Sequence, residues 1–159
     1  MLTQARLKEL LSYDPITGIF IREQSRRKVR KGSVAGTRRH DGYFTIFMDG
    51  HRYLCHRLAW LYMTGEWPLH FIDHIDGNPS NNSFSNLRDV EHTINTQNIR
   101  RARSFNSSGL LGANRFRGGF LSRIIVHKKV IHLGWFNTAE EAHEAYLIAK
   151  RELHEGCMI

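Results

Sequence analysis

The stretch whose reading decides the fold is residues 72–87, IDHIDGNPSNNSFSNL. It holds two aspartates, one histidine and four asparagines in sixteen residues, around an Asp76-Gly77 step. An ordinary turn uses one or two such side chains to cap backbone groups. The surplus opens a second reading, in which some of these groups do chemistry. Asp73 and His74 end a strand expected over residues 70–74. Asn86 precedes a second strand at about 87–90, and Asn95 falls on a helix expected at about 91–101.

This set suits metal-assisted hydrolysis of a phosphodiester. A hard divalent ion such as Mg²⁺, with Mn²⁺ as an alternative, takes oxygen ligands and keeps several waters. Asp73 and Asn95 supply such oxygens. A neutral His74 can accept a proton from an attacking water. Its other ring nitrogen then needs a partner to fix it, and Asn86 is the expected one. From the residues alone a structural turn remains open beside the catalytic reading, and His70 and His92 compete with His74.

Working outward, the chain has 159 residues, 41% of them hydrophobic, with a formal net charge of +8. This is a globular composition with enough positive charge to suggest a polyanionic partner, nucleic acid before membrane. The two cysteines, Cys55 and Cys157, form no Cys-x-x-Cys pair, which excludes a zinc ribbon on ligand count and a zinc deaminase on cysteine spacing. They point to a reducing, cytoplasmic setting. The first fifteen residues lack the apolar core of a signal peptide, and no run is apolar and long enough for a membrane span.

Leu7, Leu10 and Leu11 predict a helix over residues 3–12, followed by a strand at 19–21. Residues 22–39 carry eight Lys or Arg against one Glu. They read either as a solvated loop or as an arm that touches phosphates through Arg26, Arg27, Lys28, Arg30 and Lys31. Asp49-Gly50 predicts a hairpin with strands at 43–48 and 51–55. A helix over 56–64 ends at Gly65 and carries Arg57. Residues 102–109 read as a linker, preceded by the basic pair Arg100 and Arg101. Three strands follow, near 111–116, 119–126 and 129–135. Thr138 and Glu141 then form a capping box at the start of a last helix. Alternation turns Ser122 and Ile124 toward that helix. It turns Leu121, Arg123, Ile125 and His132 outward, with Arg115 and Arg117 expected beside them and Lys128 in a turn. Arginines on an outward sheet face can pair with guanine edges.

The ordered set His56-Arg57-Leu58 with Trp60, Asp73-His74, Asp76-Gly77, Asn81-Asn82, Asn86-Leu87-Arg88, and Asn95 with Asn98 resembles the HNH endonuclease family. The version is the one found in phage and mobile-intron homing endonucleases. The resemblance covers roughly residues 5–101. Many members have Thr-Pro where this chain has Glu91-His92. The resemblance implies an α+β protein built on a ββα-metal (His-Me finger) nuclease fold that cuts double-stranded DNA. It implies His74 as general base, Asp73 and Asn95 as metal ligands, and Asn86 as the residue that orients His74.

Residues 107–154 resemble the Apetala/ethylene-response-factor DNA-binding domain, a three-stranded antiparallel sheet plus one helix. The resemblance is carried by Gly112, Ile124, IHLGWF at 131–136 and TAEEAHEAY at 138–146. Phe120 and His132 stand where that family often has Trp. The expected organisation is a nuclease domain over 1–101, a linker over 102–109 and a DNA-binding domain over 110–159. A monomer is expected, acting inside a host cell if a phage carries the gene. A catalytically silent DNA-binding regulator on the same fold is the alternative.

Overall fold

The computed structural model describes residues 2–25, 29–100, 102 and 106–157. The chain divides into two compact units, Met1–His92 and Thr93–Ile159. This places the division well before the boundary expected at residue 101.

In the first unit Thr3 caps α1 (Gln4–Leu10) by accepting a hydrogen bond from the Arg6 amide. The helix is shorter than its leucine spacing predicts, because Leu11 turns extended and starts β1 (Leu11–Tyr13). β1 pairs with β2 (Phe20–Arg22), and β2 pairs with β3 (Val34–Ala35). A second antiparallel sheet holds β4 (Thr37–Arg38), β5 (Phe44–Met48) and β6 (His51–Leu54). β3 and β4 lie in the basic stretch that sequence reads only as a loop or arm. Between β5 and β6, Asp49 and Gly50 both take positive φ, as the expected Asp-Gly hairpin turn requires. α2 (Cys55–Thr64) follows without a break and ends at left-handed Gly65.

One apolar core joins these parts. Leu7, Leu11, Phe20, Ile46, Leu58 and Leu61 are buried together, each such side chain contributing roughly 1.5–3 kcal/mol. β7 (Phe71–His74) and β8 (Leu87–Val90) form a two-stranded antiparallel hairpin, with a 3-10 turn at Phe84–Asn86 just before β8. Ile72 and Leu87 anchor the hairpin in the same core.

The N-terminal segment braces the long loop of this hairpin. The Tyr13 hydroxyl donates to the Asn82 carbonyl at 2.7 Å, and the Phe84 amide donates to the Pro15 carbonyl at 2.9 Å. Gly18 lies against the same backbone with φ of 73°. A Cβ there would come within 2.3 Å of the Asn82 carbonyl carbon.

In the second unit, α3 (His92–Gln97) begins at the division and stops four residues short of the expected end at 101. β9 (Ala113–Phe116), β10 (Gly119–Val126) and β11 (Lys129–Phe136) form a three-stranded antiparallel sheet with β10 in the centre. α4 (Ala139–Leu153) starts with the predicted Thr138–Glu141 capping box. Ala113 and Ala142 are fully buried at the contact of sheet and helix, beside Phe120 and Phe136. Ser122 and Ile124 are buried, as the alternation predicts. Among the described residues no helix is long and apolar enough to cross a membrane.

Gly18→Ala should lower the unfolding free energy by roughly 1–3 kcal/mol, because both backbone conformation and space oppose a side chain. Gly50→Ala shares the positive φ but meets nothing within 4 Å, so its loss should be smaller. Urea titrations of the two variants check the order. Equal losses would mean that the close approach of Gly18 to Asn82 contributes nothing.

Candidate active site

β7 and β8 set Asp73 directly opposite Arg88, and His74 opposite Leu87. Opposite residues of an antiparallel pair project on the same face. Arg88 therefore reaches Asp73 across the hairpin, with Nε at 2.9 Å and Nη2 at 2.7 Å from Oδ2. Asp73 is buried, with 6% of its surface exposed. A carboxylate so removed from water needs a charged partner, and Arg88 provides one. The strand pairing is the signal that could have found this pair in the sequence.

His74 is also buried. Its Nε2 lies 3.2 Å from Asn82 Oδ1. An amide oxygen only accepts, so Nε2 carries the proton and Nδ1 holds the basic lone pair. Burial keeps the ring's pKa below the ordinary histidine value, against the opposing effects of the Asn82 hydrogen bond and of Asp76 and Asp73. The imidazole is thus neutral and oriented.

The partner of His74 differs from the expected one. Asn86 Nδ2 donates to Asp76 Oδ1 at 3.0 Å and to the Asn81 carbonyl at 2.9 Å, while Oδ1 accepts from the Asp76 amide at 2.9 Å. The 3-10 turn points Asn86 back over the Asp76 turn, so it secures the loop. Asn82 is the residue that meets His74. Asp76 is the hub of the turn. Burial pushes its carboxyl up, but hydrogen bonds from Asn81, Asn78 and Asn86 outweigh this and hold it below the usual carboxylate range.

Sequence reading gives no chemical role to His56, although the structure sets it beside His74. It sits in the first turn of α2, with ring centroids 5.2 Å apart and planes perpendicular. Tyr43 packs against both rings, at 5.3 Å and 5.8 Å. Among the described residues His56 Nδ1 is buried without a hydrogen-bond partner. Burial first, then the neighbouring His74 and Arg57, push the His56 pKa down to about 3.

The donor chemistry fits a hydrated hard cation. Among the described residues no three His, Cys, Asp or Glu side chains gather to form a metal cage. One buried carboxylate, that of Asp73, suits an ion such as Mg²⁺ that retains most of its water. Asn95 lies on α3 in the second unit.

The expected DNA-contacting residues fall into several groups. Arg26, Arg27, Lys28 and Arg101 lie outside the described residues. Arg30 and Lys31 are exposed just before β3, with Lys31 Nζ 3.7 Å from Glu23. Arg57 lies over the Trp67 ring and donates to the His70 carbonyl, and Arg100 is exposed. On the second sheet Arg123 and His132 pair opposite each other and are exposed. Leu121 opposite Trp135, and Ile125 opposite Val130, share that outward parity. Lys128 is exposed in the β10–β11 turn.

Two positions differ from the expected face. Arg117 sits in the β9–β10 turn with φ of 45°, not on the strand. Arg115 is paired with Phe120 and lies over its ring at 5.8 Å. The register gives Arg115 the parity of Ala113 on the helix side, and puts Asn114 on the outward side opposite Leu121.

The two histidines carry a pH signature. A histidine whose folded pKa is depressed binds its proton more readily when unfolded. Stability is then full above the ordinary value of 6.5 and falls as pH drops below it, by up to about 1.4 kcal/mol per pH unit for each histidine. For His56 this window extends down to about 3. His56→Phe removes one of these groups and an unpaired buried nitrogen. Its melting temperature should exceed that of the wild type at pH 5 and depend less steeply on pH. Parallel pH profiles for the two proteins would contradict the assignment.

No curated protein matches the chain. Over 90% of its length and 80% of the other, it is similar to a solved structure of DNA binding and cleavage by the HNH homing endonuclease I-HmuI, with 20% identity and a TM-score of 0.44. Residues 53–97 match the family model described as HNH endonuclease, and that span contains Asp73, His74, Asn82, Asn86 and Asn95.

Proposed function

We propose that the protein is a divalent-metal-dependent DNA endonuclease that hydrolyses phosphodiester bonds in double-stranded DNA. The observation that carries this reading is the neutral, oriented His74 beside the Arg88-paired carboxylate of Asp73, inside the segment matched by the HNH endonuclease model. A buried imidazole fixed at Nε2 by an amide oxygen is a base prepared to take a proton at Nδ1.

In this reading Nδ1 of His74 accepts the proton of a water that attacks phosphorus, and Asn82 keeps the ring in that tautomer. Asn86 acts through the loop, holding Asp76 and the Asn81 backbone so that Asn82 stays in place. Asp73 is the first metal ligand. Asn95 is the second, on the strength of the resemblance. When bound, Mg²⁺ or Mn²⁺ supplies charge stabilisation at the scissile phosphate and the leaving oxygen. The exposed Arg30, Lys31 and Arg100 contribute phosphate contacts of no sequence preference. The outward face of the second sheet, with Arg123 and His132 between Leu121 and Ile125, is the proposed major-groove reader, in keeping with the resemblance to the Apetala/ethylene-response-factor domain. Two linked DNA-binding parts gain from effective concentration without either binding tightly.

Supercoiled plasmid should be nicked or linearised by the wild type with Mg²⁺ or Mn²⁺ and left intact with chelator. His74→Ala should lose at least a hundredfold in rate while its DNA binding, read by gel shift, is kept. Tight DNA binding without cutting by the wild type, across plasmid and genomic substrates, would favour the silent regulator.

A further inference from the structure

α3 is a helix of six residues with none buried. A segment this short does not hold helical form by itself in water. Inside the second unit three features hold it, and they come from the last turn of α4 and the residues after it.

The Gly156 amide donates to Gln97 Oε1 at 2.8 Å. Gly156 is buried, and a Cβ on it would lie 2.4 Å from the Ile94 carbonyl oxygen and 3.0 Å from Gln97 Cβ. The chain after α4 thus passes so close to α3 that only glycine fits. Further along, Lys150 is almost fully buried, and its ammonium donates to the Ile99 carbonyl just beyond α3. A buried lysine loses hydration and rotamer freedom, and is kept where a strong acceptor meets it. Asn95 lies one residue from Ile94 and two from Gln97, in the middle of this clamp.

We infer that the end of α4 is the positioning device for Asn95, with Gly156, Lys150 and Gln97 as positioning residues. This rests on the reading of Asn95 as a metal ligand. It explains why the division of the chain falls at residues 92 and 93: the segment that bears the ligand folds with the C-terminal sheet and helix. A fragment ended at residue 101 would keep Asp73 and His74 but lose the support of α3.

The test uses the full chain. Amide hydrogen exchange across residues 93–99 is measured without metal, and Mn²⁺ affinity is measured by electron paramagnetic resonance. Gln97→Leu removes the acceptor for Gly156, whereas Gln97→Glu retains one. Lys150→Met removes the donor to Ile99, and Gly156→Val forces the two segments apart. In Gln97→Leu and Lys150→Met, exchange over 93–99 should rise at least tenfold while exchange in β7 and β8 stays at the wild-type rate. Mn²⁺ affinity should fall at least fivefold. Gln97→Glu should restore both. Gly156→Val should show the largest effect, and if it fails to fold the other two variants still decide. Wild-type exchange in both Gln97→Leu and Lys150→Met would overturn the inference, as would raised exchange with unchanged Mn²⁺ affinity. Asn95→Ala separates this from the underlying reading: it should keep exchange protection and lose Mn²⁺ affinity. Full affinity and cutting in Asn95→Ala would remove the ligand assignment itself.

Discussion

The loop between β7 and β8 runs from Ile75 to Asn86 with no strand ladder to satisfy its backbone. Its amides must find partners elsewhere, because unpaired buried backbone groups are costly. The asparagines and Asp76 answer this need. Asn86 takes the Asp76 amide, Asp76 takes the Asn78 amide, Asn78 takes the Ser80 amide and Asn81 takes the Ser83 amide. The same network places Asn82 against His74. Tyr13 and Gly18 meet the Asn82 backbone as well. The placement of the His74 ring and the stability of the loop are therefore one problem with one solution, and a defect in the network reaches the imidazole.

Charge is arranged around that loop by burial. Asp73 stays buried because Arg88 faces it across the hairpin. His74 and His56 stay buried because both remain neutral, each burdened by burial and His56 further by its neighbour. A neutral imidazole is what a proton-accepting role needs at neutral pH. The cost falls on acid stability, where both rings favour the unfolded chain.

Much of this was legible in the residues. Asp49-Gly50 marks its hairpin because few other pairs adopt two left-handed conformations in succession. The Thr138–Glu141 box marks the start of α4, and alternation separates buried Ser122 and Ile124 from exposed Arg123 and Ile125. The hairpin carrying Asp73 and His74 is readable from its two short strands around a polar loop. What stayed hidden depends on contacts distant in sequence. No local pattern says that Tyr13 braces Asn82, or that Gly156 leaves no space beside Ile94. That Asn82 and not Asn86 meets His74 follows from a 3-10 turn whose direction no composition encodes. The face of Arg115 is set by its pairing with Phe120, which the pattern along β9 alone does not reveal. β3 and β4 leave no mark in the sequence, because two-residue strands have no period to detect.

The central claim is that Nδ1 of His74 takes the proton during metal-dependent DNA cutting. Imidazole rescue tests it most directly. His74→Gly leaves a cavity of the shape of the lost ring beside Asn82. Its plasmid cutting in Mg²⁺ should be almost absent, should return with added imidazole, and should follow the concentration of the unprotonated form as pH is varied. Cutting by His74→Gly at the wild-type rate without imidazole would contradict the account.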